Sequence, residues 1–358
     1  TDIRPQAPLQ EDGTPAGSYL RIDPAAVARN YRTLAARSGG ECGGVVKANA
    51  YGLGIEPVAR ALWAAGCKSY FVALPAEGLL LRKILPGATI YVLNGLFDDV
   101  GFGKAHNLIP FLSCLDAVSA WGDAPFALNV DTSMNRLGVK PSDVAAIDRT
   151  PVLVASHFAC ADTPDHPKNA LQEAQFREVV TALPDVPASL ANSAALLTRP
   201  HSHYQLTRPG IALYGGEAAV GVPPFEPTVS LTARVIQVRD VPAGETIGYG
   251  AAETVQRQSR VAIVSAGYAD GYLRASGGRD GVAGAPAFVN GVHTHLLGRV
   301  SMDLLAVDVT DAPCLRGDSV ELIGPNVRVD DVARRAGTIG YELLTSISRR
   351  AERSYGPL

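Results

Sequence analysis

Short apolar runs alternate with helix-period segments from residue 24 to about residue 215, and this alternation constrains the fold more than any other feature of the chain. The runs lie at 43–46, 70–73, 89–93, 108–111, 126–130, 152–156, 187–190 and 205–208. Between them, segments such as 55–66 and 169–183 carry apolar residues at helical spacing. Strands that alternate with helices imply βαβ units and a parallel sheet. Eight such units in roughly 200 residues suit a (β/α)8 TIM-type barrel, with a doubly wound sheet as the alternative.

Beyond residue 228 the period changes. Segments 229–238, 260–266, 287–293 and 304–309 read as strands, helical spacing returns only at 330–337, and Asn290-Gly291 is a hairpin signal. The chain therefore reads as α/β plus β. A loose arm over 1–17 precedes a strand over 18–23 that joins the C-terminal part. A barrel occupies 24–227 and a C-terminal, mainly β domain 228–358. Asp23 caps the first helix, with Pro24 at its first position.

Composition narrows the function classes. Charged residues make up 19% and the net charge is -3, with no basic run. Neither a nucleic-acid partner nor a membrane surface is expected. The five cysteines are odd in number, far apart and without a C-x-x-C pair, so no zinc site or disulfide framework is expected and a cytoplasmic location fits. The first ten residues lack the apolar core of a signal peptide, and no uninterrupted apolar stretch is long enough for a membrane span.

Chemistry enters at V-V-K-A-N-A-Y-G-L-G (45–54), at the end of the first barrel strand. Barrels of this kind do their chemistry on the face formed by the C-terminal ends of their strands. A lysine buried there loses proton affinity and becomes nucleophilic. Taken alone, Lys47 reads as a lysine reaching from a strand end to water. The string K-A-N-A-Y-G, however, closely resembles the cofactor-lysine motif of the alanine racemase family, which uses pyridoxal 5'-phosphate (fold type III). The family usually continues with His where Leu53 stands.

The resemblance runs from about residue 18 to 355, and it implies a set of roles. Lys47 holds the cofactor, and Tyr51 bonds its phosphate. In V-D-T-S-M-N-R-L-G (130–138), Arg136 binds the substrate carboxylate. The family commonly has Gly where Ser133 stands. Many members carry a carbamylated lysine where Asn129 stands, so here an anion or a plain amide hydrogen bond must serve. In A-S-H-F-A-C-A-D (155–162), His157 packs on the pyridine ring and Asp162 lies near the substrate entrance. Ser193 of A-N-S-A contacts the phosphate, and it opens an apolar helix-like stretch whose N-terminus would favour an anion.

T-R-P-G-I-A-L-Y-G (207–215) supplies Gly210 and Ile211 N–H groups to the phosphate and Arg208 to the pyridine nitrogen. An arginine there leaves the ring nitrogen unprotonated, which weakens the electron sink and favours simple reprotonation at Cα over transamination. V-S-A-G-Y-A-D-G-Y (264–272) supplies Tyr268 as the second base, opposite Lys47 and assisted by His157. G-R-V-S-M-D (298–303) supplies the Met302 N–H to the substrate carboxylate and Arg299 to the entrance, and G-T-I-G-Y-E (337–342) supplies Tyr341 to the phosphate. No metal is implied.

The implied activity is interconversion of L- and D-alanine by a homodimer with shared active sites, either supplying D-alanine for peptidoglycan or serving catabolism. A broad-spectrum or serine racemase on the same scaffold is the nearest alternative. A non-catalytic cofactor-binding protein would need neither the β domain nor Tyr268, and a fold-related decarboxylase would not need the tyrosine base.

Overall fold

The computed structural model describes residues 14–358, so residues 1–13 of the expected arm lie outside the described residues. The chain divides into two compact units, one spanning Val27–Glu226 and the other combining the residues up to Ala26 with Pro227–Leu358. The first strand, β1 (Ser18–Ile22), belongs to the second of these.

The Val27–Glu226 unit is a ring of parallel strands. They are β2 (Glu41–Cys42), β3 (Gly44–Val45), β4 (Ser69–Val72), β5 (Thr89–Val92), β6 (Ile109–Leu112), β7 (Ala127–Asn129), β8 (Leu153–Ala155), β9 (Ala188–Ser189) and β10 (Leu206–Thr207). Strands β3 to β9 pair in chain order. On one side of β10, Leu206 and Thr207 pair with Glu41 and Cys42, and Gly43 and Val45 donate to the Thr207 and Pro209 carbonyls. On its other side, Gln205 and Arg208 donate to the Ala188 and Ala191 carbonyls. These bonds close the ring. Strands β2 and β3 form one run interrupted at Gly43, where a Cβ would stand 2.8 Å from the Phe71 ring.

All eight expected strand segments are present, within two residues of their expected ends. The strands are short and buried on both faces, as β4 is at every position. Burial on both faces is why they appear as continuous apolar runs. Phe71, Tyr91 and Phe111, on successive strands, form an aromatic layer with ring centroids 5.0 to 6.3 Å apart. Helices Ile55–Ala64 and Pro167–Ala182 occupy the segments expected from periodicity.

The other unit is a closed six-stranded antiparallel barrel with two added strands and a separate two-stranded ribbon. Its elements are β1, β11 (Val229–Val241), β12 (Thr246–Ile247), β13 (Glu253–Thr254), β14 (Ser259–Val264), β15 (Pro286–Val289), β16 (Val292–Leu297), β17 (Leu305–Asp308), β18 (Ser319–Ile323) and β19 (Glu352–Tyr355). The sheet runs β14-β17-β16-β15-β18-β11-β1-β19, and β11 also pairs with β14. Strand β11 holds β18 along one edge, while its other edge pairs β1 through Val229–Ala233 and then β14 from Val235 onward, with a register shift between Val235 and Gln237. Asn290 (φ 47°) and Gly291 (φ 87°) form the hairpin turn between β15 and β16.

Asp23 caps helix Pro24–Ala35, its carboxylate accepting the Ala26 N–H at 3.0 Å. The arm is already fixed at its end, since Ala16 is buried and the Gly17 carbonyl accepts the Arg234 N–H. Helix Val329–Ala336 matches the returning periodicity, and a second helix, Gly340–Ser346, follows it where none was expected. Among the described residues, no helix is long and apolar enough to cross a membrane.

Candidate active site

Lys47 stands where β3 ends, after Val46 has donated its N–H to the Phe71 carbonyl. The next four residues, Ala48 to Tyr51, have φ of 53°, 55°, 54° and 55°. This is a left-handed helical turn made without glycine, closed by Ala50 N–H to the Val46 carbonyl and Gly52 N–H to the Ala48 carbonyl, both at 2.8 Å. Left-handed backbone costs about 1–2 kcal/mol per L-residue, so surrounding contacts must hold the turn. One is the Asn49 side chain, which accepts the Ile55 N–H at 2.9 Å. Another is the Glu77 carboxylate, which accepts the Ala48 N–H at 2.6 Å and the Ala73 N–H at 2.8 Å. Leu53, where the family usually has His, is fully buried in the core.

The Lys47 ammonium is held below its ordinary proton affinity, first by burial and then by Arg136, with Glu77 acting the other way and Arg208 adding to the depression. The same cations surround His157. Burial first, then Arg208, Arg136 and Lys47, push its imidazole down to about 3, so it is neutral at working pH. Arg208 is buried, and burial brings it down to about 10, which leaves it charged near neutrality. Its guanidinium donates to the Ser189 hydroxyl and, at 2.5 Å, to the Ser156 carbonyl, and it lies 3.5 Å from His157 Nδ1. All three partners are neutral.

Tyr51, Ser193, Gly210 and Ile211 meet at the end of β10. The Ser193 hydroxyl accepts the Gly210 N–H at 2.8 Å and the Ala212 N–H at 3.4 Å. A Cβ on Gly210 would stand 2.2 Å from the Tyr51 hydroxyl, so only glycine lets the tyrosine in. Tyr51 stacks on Tyr214 at 4.5 Å, and the Tyr214 hydroxyl donates to the Val45 carbonyl at 2.8 Å. The lysine motif and the R-P-G motif are thereby fastened together. Asn192, rather than Ser193, caps the short helix Ser193–Thr198. A half-buried amine of lowered proton affinity, a glycine-backed cluster of hydroxyl and amide groups, and an arginine with no acidic partner among the described residues together fit pyridoxal phosphate.

Arg136 is exposed on the loop after β7. Asp131 organises that loop by accepting the Met134 and Asn135 N–H groups at 2.8 and 3.0 Å. Ser133 has φ 73°, which explains why glycine is common there, and its hydroxyl donates to Gln175 at 2.8 Å. Asn129 answers the question its sequence raised. Its amide donates to the Leu137 carbonyl at 3.0 Å and to the Ser113 hydroxyl at 3.2 Å, so it holds the backbone beside Arg136. Asp162 is exposed, and its carbonyl accepts the Val220 N–H.

Tyr268, Arg299, Met302 and Tyr341 belong to the other unit. Tyr268 and Ala269 donate their N–H groups to the Ser301 and Met302 carbonyls, both at 3.0 Å, which brings the tyrosine and methionine motifs together. A Cβ on Gly267 would stand 2.2 Å from the Met302 carbonyl oxygen, so the approach requires glycine. Asp270 braces the turn by accepting the Gly267 N–H and the Ser18 hydroxyl. The two tyrosines of G-Y-A-D-G-Y then differ sharply. Tyr268 is 41% exposed, whereas Tyr272 is buried and burial drives its hydroxyl far from ionisation. Arg299 is exposed and packs over Gly250, and Tyr341 is exposed in the first turn of Gly340–Ser346.

Sequence reasoning missed Glu77 and the handedness of the lysine turn. The only signal for Glu77 is its place three residues after Leu74 at a helix start, which reads as an ordinary cap.

Known proteins match this chain along nearly its whole length. The family model for the alanine racemase N-terminal domain matches residues 22–218, and that for the C-terminal domain matches 228–355. An alanine racemase of Rhizobium meliloti (strain 1021) is 46% identical, over 95% of this chain and 97% of its own length. A biosynthetic alanine racemase of Agrobacterium fabrum is 45% identical, over 99% of this chain and 95% of its own. The crystal structure of alanine racemase from Bartonella henselae, with covalently bound pyridoxal phosphate, superposes with a TM-score of 0.87 at 35% identity, covering 95% of this chain and all of that one. With both halves matched in order and the whole length shared with such relatives, the chain belongs to the alanine racemase family.

Proposed function

We propose that this chain racemises alanine with pyridoxal 5'-phosphate held through Lys47, and that Lys47 and Tyr268 move the Cα proton on opposite faces of the substrate. The observation that carries the reading is the half-buried Lys47 amine, lowered in proton affinity first by desolvation and then by Arg136, in a turn locked to the Arg208 motif. When bound, the cofactor supplies an aldehyde carbon that condenses with amines and a ring that withdraws electrons from Cα. Tyr51, Ser193, Gly210, Ile211 and Tyr341 are the groups assigned to its phosphate, and His157 to its ring.

Arg208 is assigned to the ring nitrogen. It remains a cation at neutral pH and has only neutral partners, so it donates a hydrogen bond without giving up a proton. That limits electron withdrawal and directs the proton back to Cα. Arg136 binds the substrate carboxylate, joined by the Met302 N–H. The Lys47 amine moves the proton on one face, and Tyr268 serves the other.

The active unit in this reading is a homodimer in which Tyr268, Met302 and Arg299 act on a second copy's barrel, with Asp162 and Arg299 at the entrance. The exposure of Tyr268 and Met302 supports it. A cytoplasmic location belongs to the same reading and rests on the odd, dispersed cysteines. The product, D-alanine, suits peptidoglycan supply, and the same chemistry run in reverse suits catabolism; relatives named as biosynthetic and as catabolic alanine racemases support both directions.

The test is a chiral assay of D-amino-acid formation across a panel of L-amino acids. Alanine is expected to be the best substrate. Greater activity on serine or lysine would replace this reading with a broad-spectrum or serine racemase.

A further inference from the structure

One carboxylate outside the groups assigned to cofactor and substrate touches the lysine turn. Glu77 is the third residue of helix Pro75–Ile84. Its Oε2 accepts the Ala73 N–H at 2.8 Å and the Leu74 N–H at 3.1 Å, as a glutamate at this helical position commonly does. Its Oε1 is not needed for that cap. It leaves the helix and accepts the Ala48 N–H at 2.6 Å. Ala48 follows Lys47 directly and is the first of the four left-handed residues.

We propose that Glu77 is a positioning residue for Lys47, fastening the left-handed turn to the junction between β4 and its helix while keeping a negative charge beside the amine. The proposal rests on Lys47 being the cofactor lysine. Three features of the site require such a group. The Ala48 N–H opens a strained turn, and a charged acceptor makes the stronger kind of hydrogen bond to it. The side chain spans two elements that neighbouring strands bring side by side, so it fixes the lysine relative to the barrel wall. Finally, the charged groups that act on Lys47 are Arg136, Arg208 and Glu77, with neutral His157 beside them, and Glu77 is the anion of the set. Without it, burial and two arginines would depress the amine unopposed.

The test compares Glu77→Gln and Glu77→Asp with the parent chain. Glutamine keeps the length and removes the charge. Aspartate keeps the charge and the local helix cap but is one methylene too short to reach Ala48. The first readout is the pH dependence of Lys47 acetylation by acetic anhydride in the cofactor-stripped chain, followed by peptide mass spectrometry. The second is cofactor retention, read by visible absorbance on dilution.

In Glu77→Gln the Lys47 labelling midpoint is expected to fall by about one pH unit. Both variants are expected to retain the cofactor about tenfold less well, equivalent to about 1.4 kcal/mol. A capping glutamate alone would move neither quantity. An unchanged midpoint in Glu77→Gln overturns the proposal. If that variant fails to fold, unchanged retention in Glu77→Asp overturns it. Covalent cofactor binding that survives Lys47→Ala would instead overturn the cofactor reading, and the effect of Glu77 on the Lys47 midpoint would still be measured separately.

Discussion

Gly210→Ala isolates a single steric contact between the two motifs that build the site. The new methyl would stand 2.2 Å from the Tyr51 hydroxyl and 3.1 Å from its ring carbon, so the hydroxyl must retreat by roughly 1 Å to reach ordinary contact. Tyr51 has little room to do so. It stacks on Tyr214, which is 1% exposed and tied to the Val45 carbonyl. Overpacking of this kind costs about 1–3 kcal/mol. Losing a hydrogen bond to a charged phosphate costs about 1.5–3 kcal/mol, or roughly 10- to 150-fold in affinity. The expected outcome is a lowered midpoint of denaturant unfolding in the cofactor-free chain and weaker cofactor binding by absorbance titration. The decisive comparison repeats the substitution in a Tyr51→Phe background, where the hydroxyl is gone. There Gly210→Ala is expected to cost much less on both measures. An equal cost in both backgrounds would refute the argument that glycine is required by the tyrosine.

Three further outcomes follow from the same geometry. Asn129→Ala removes the amide that holds the Leu137 carbonyl beside Arg136, and loss of one neutral hydrogen bond of about 0.5–1.5 kcal/mol should raise KM for alanine about 2- to 12-fold with little change in kcat, measured by steady-state kinetics. Arg208→Glu places a proton-holding group where the arginine stood, so the ratio of transamination to racemisation should rise, read as pyridoxamine phosphate formed per turnover. The third concerns pH. His157 is lowered in the folded chain from an ordinary 6.5 to about 3, so the unfolded chain binds the extra proton between those values and stability is lost as pH falls through that window. His157→Asn should flatten that slope in urea midpoints. The loss at lower pH should remain, because Glu173 is held down to about 2; burial would raise it, but hydrogen bonds from Arg199, Ser202 and His201 outweigh burial.

The strands were legible because burial on both faces of the inner barrel writes them as continuous apolar runs, and β4 and β5 show this directly. The β part was legible through its β-rich runs, the loss of helical spacing and Asn290-Gly291, whose residues adopt the positive φ their types allow. The lysine turn was not legible. Its four left-handed residues include two alanines, which carry no signal for that conformation, and it is held by groups distant in sequence. Glu77 stayed hidden for the same reason, since half of its role is a contact 29 residues away. The Gly-to-Ser difference at 133 was visible, but its meaning required the backbone angle that the structure supplies. Motifs thus pointed to the candidate residues, while long-range contacts show how those residues are held.

The central claim is that the proton is moved from two faces by two different residues. Its most direct test is solvent-deuterium incorporation at Cα, starting separately from L- and D-alanine, in the parent chain and in Tyr268→Phe. The expected result is that the variant keeps its cofactor absorbance and its exchange from one enantiomer, while exchange from the other falls by about 100-fold or more. Exchange from both enantiomers at parental rates would contradict the claim.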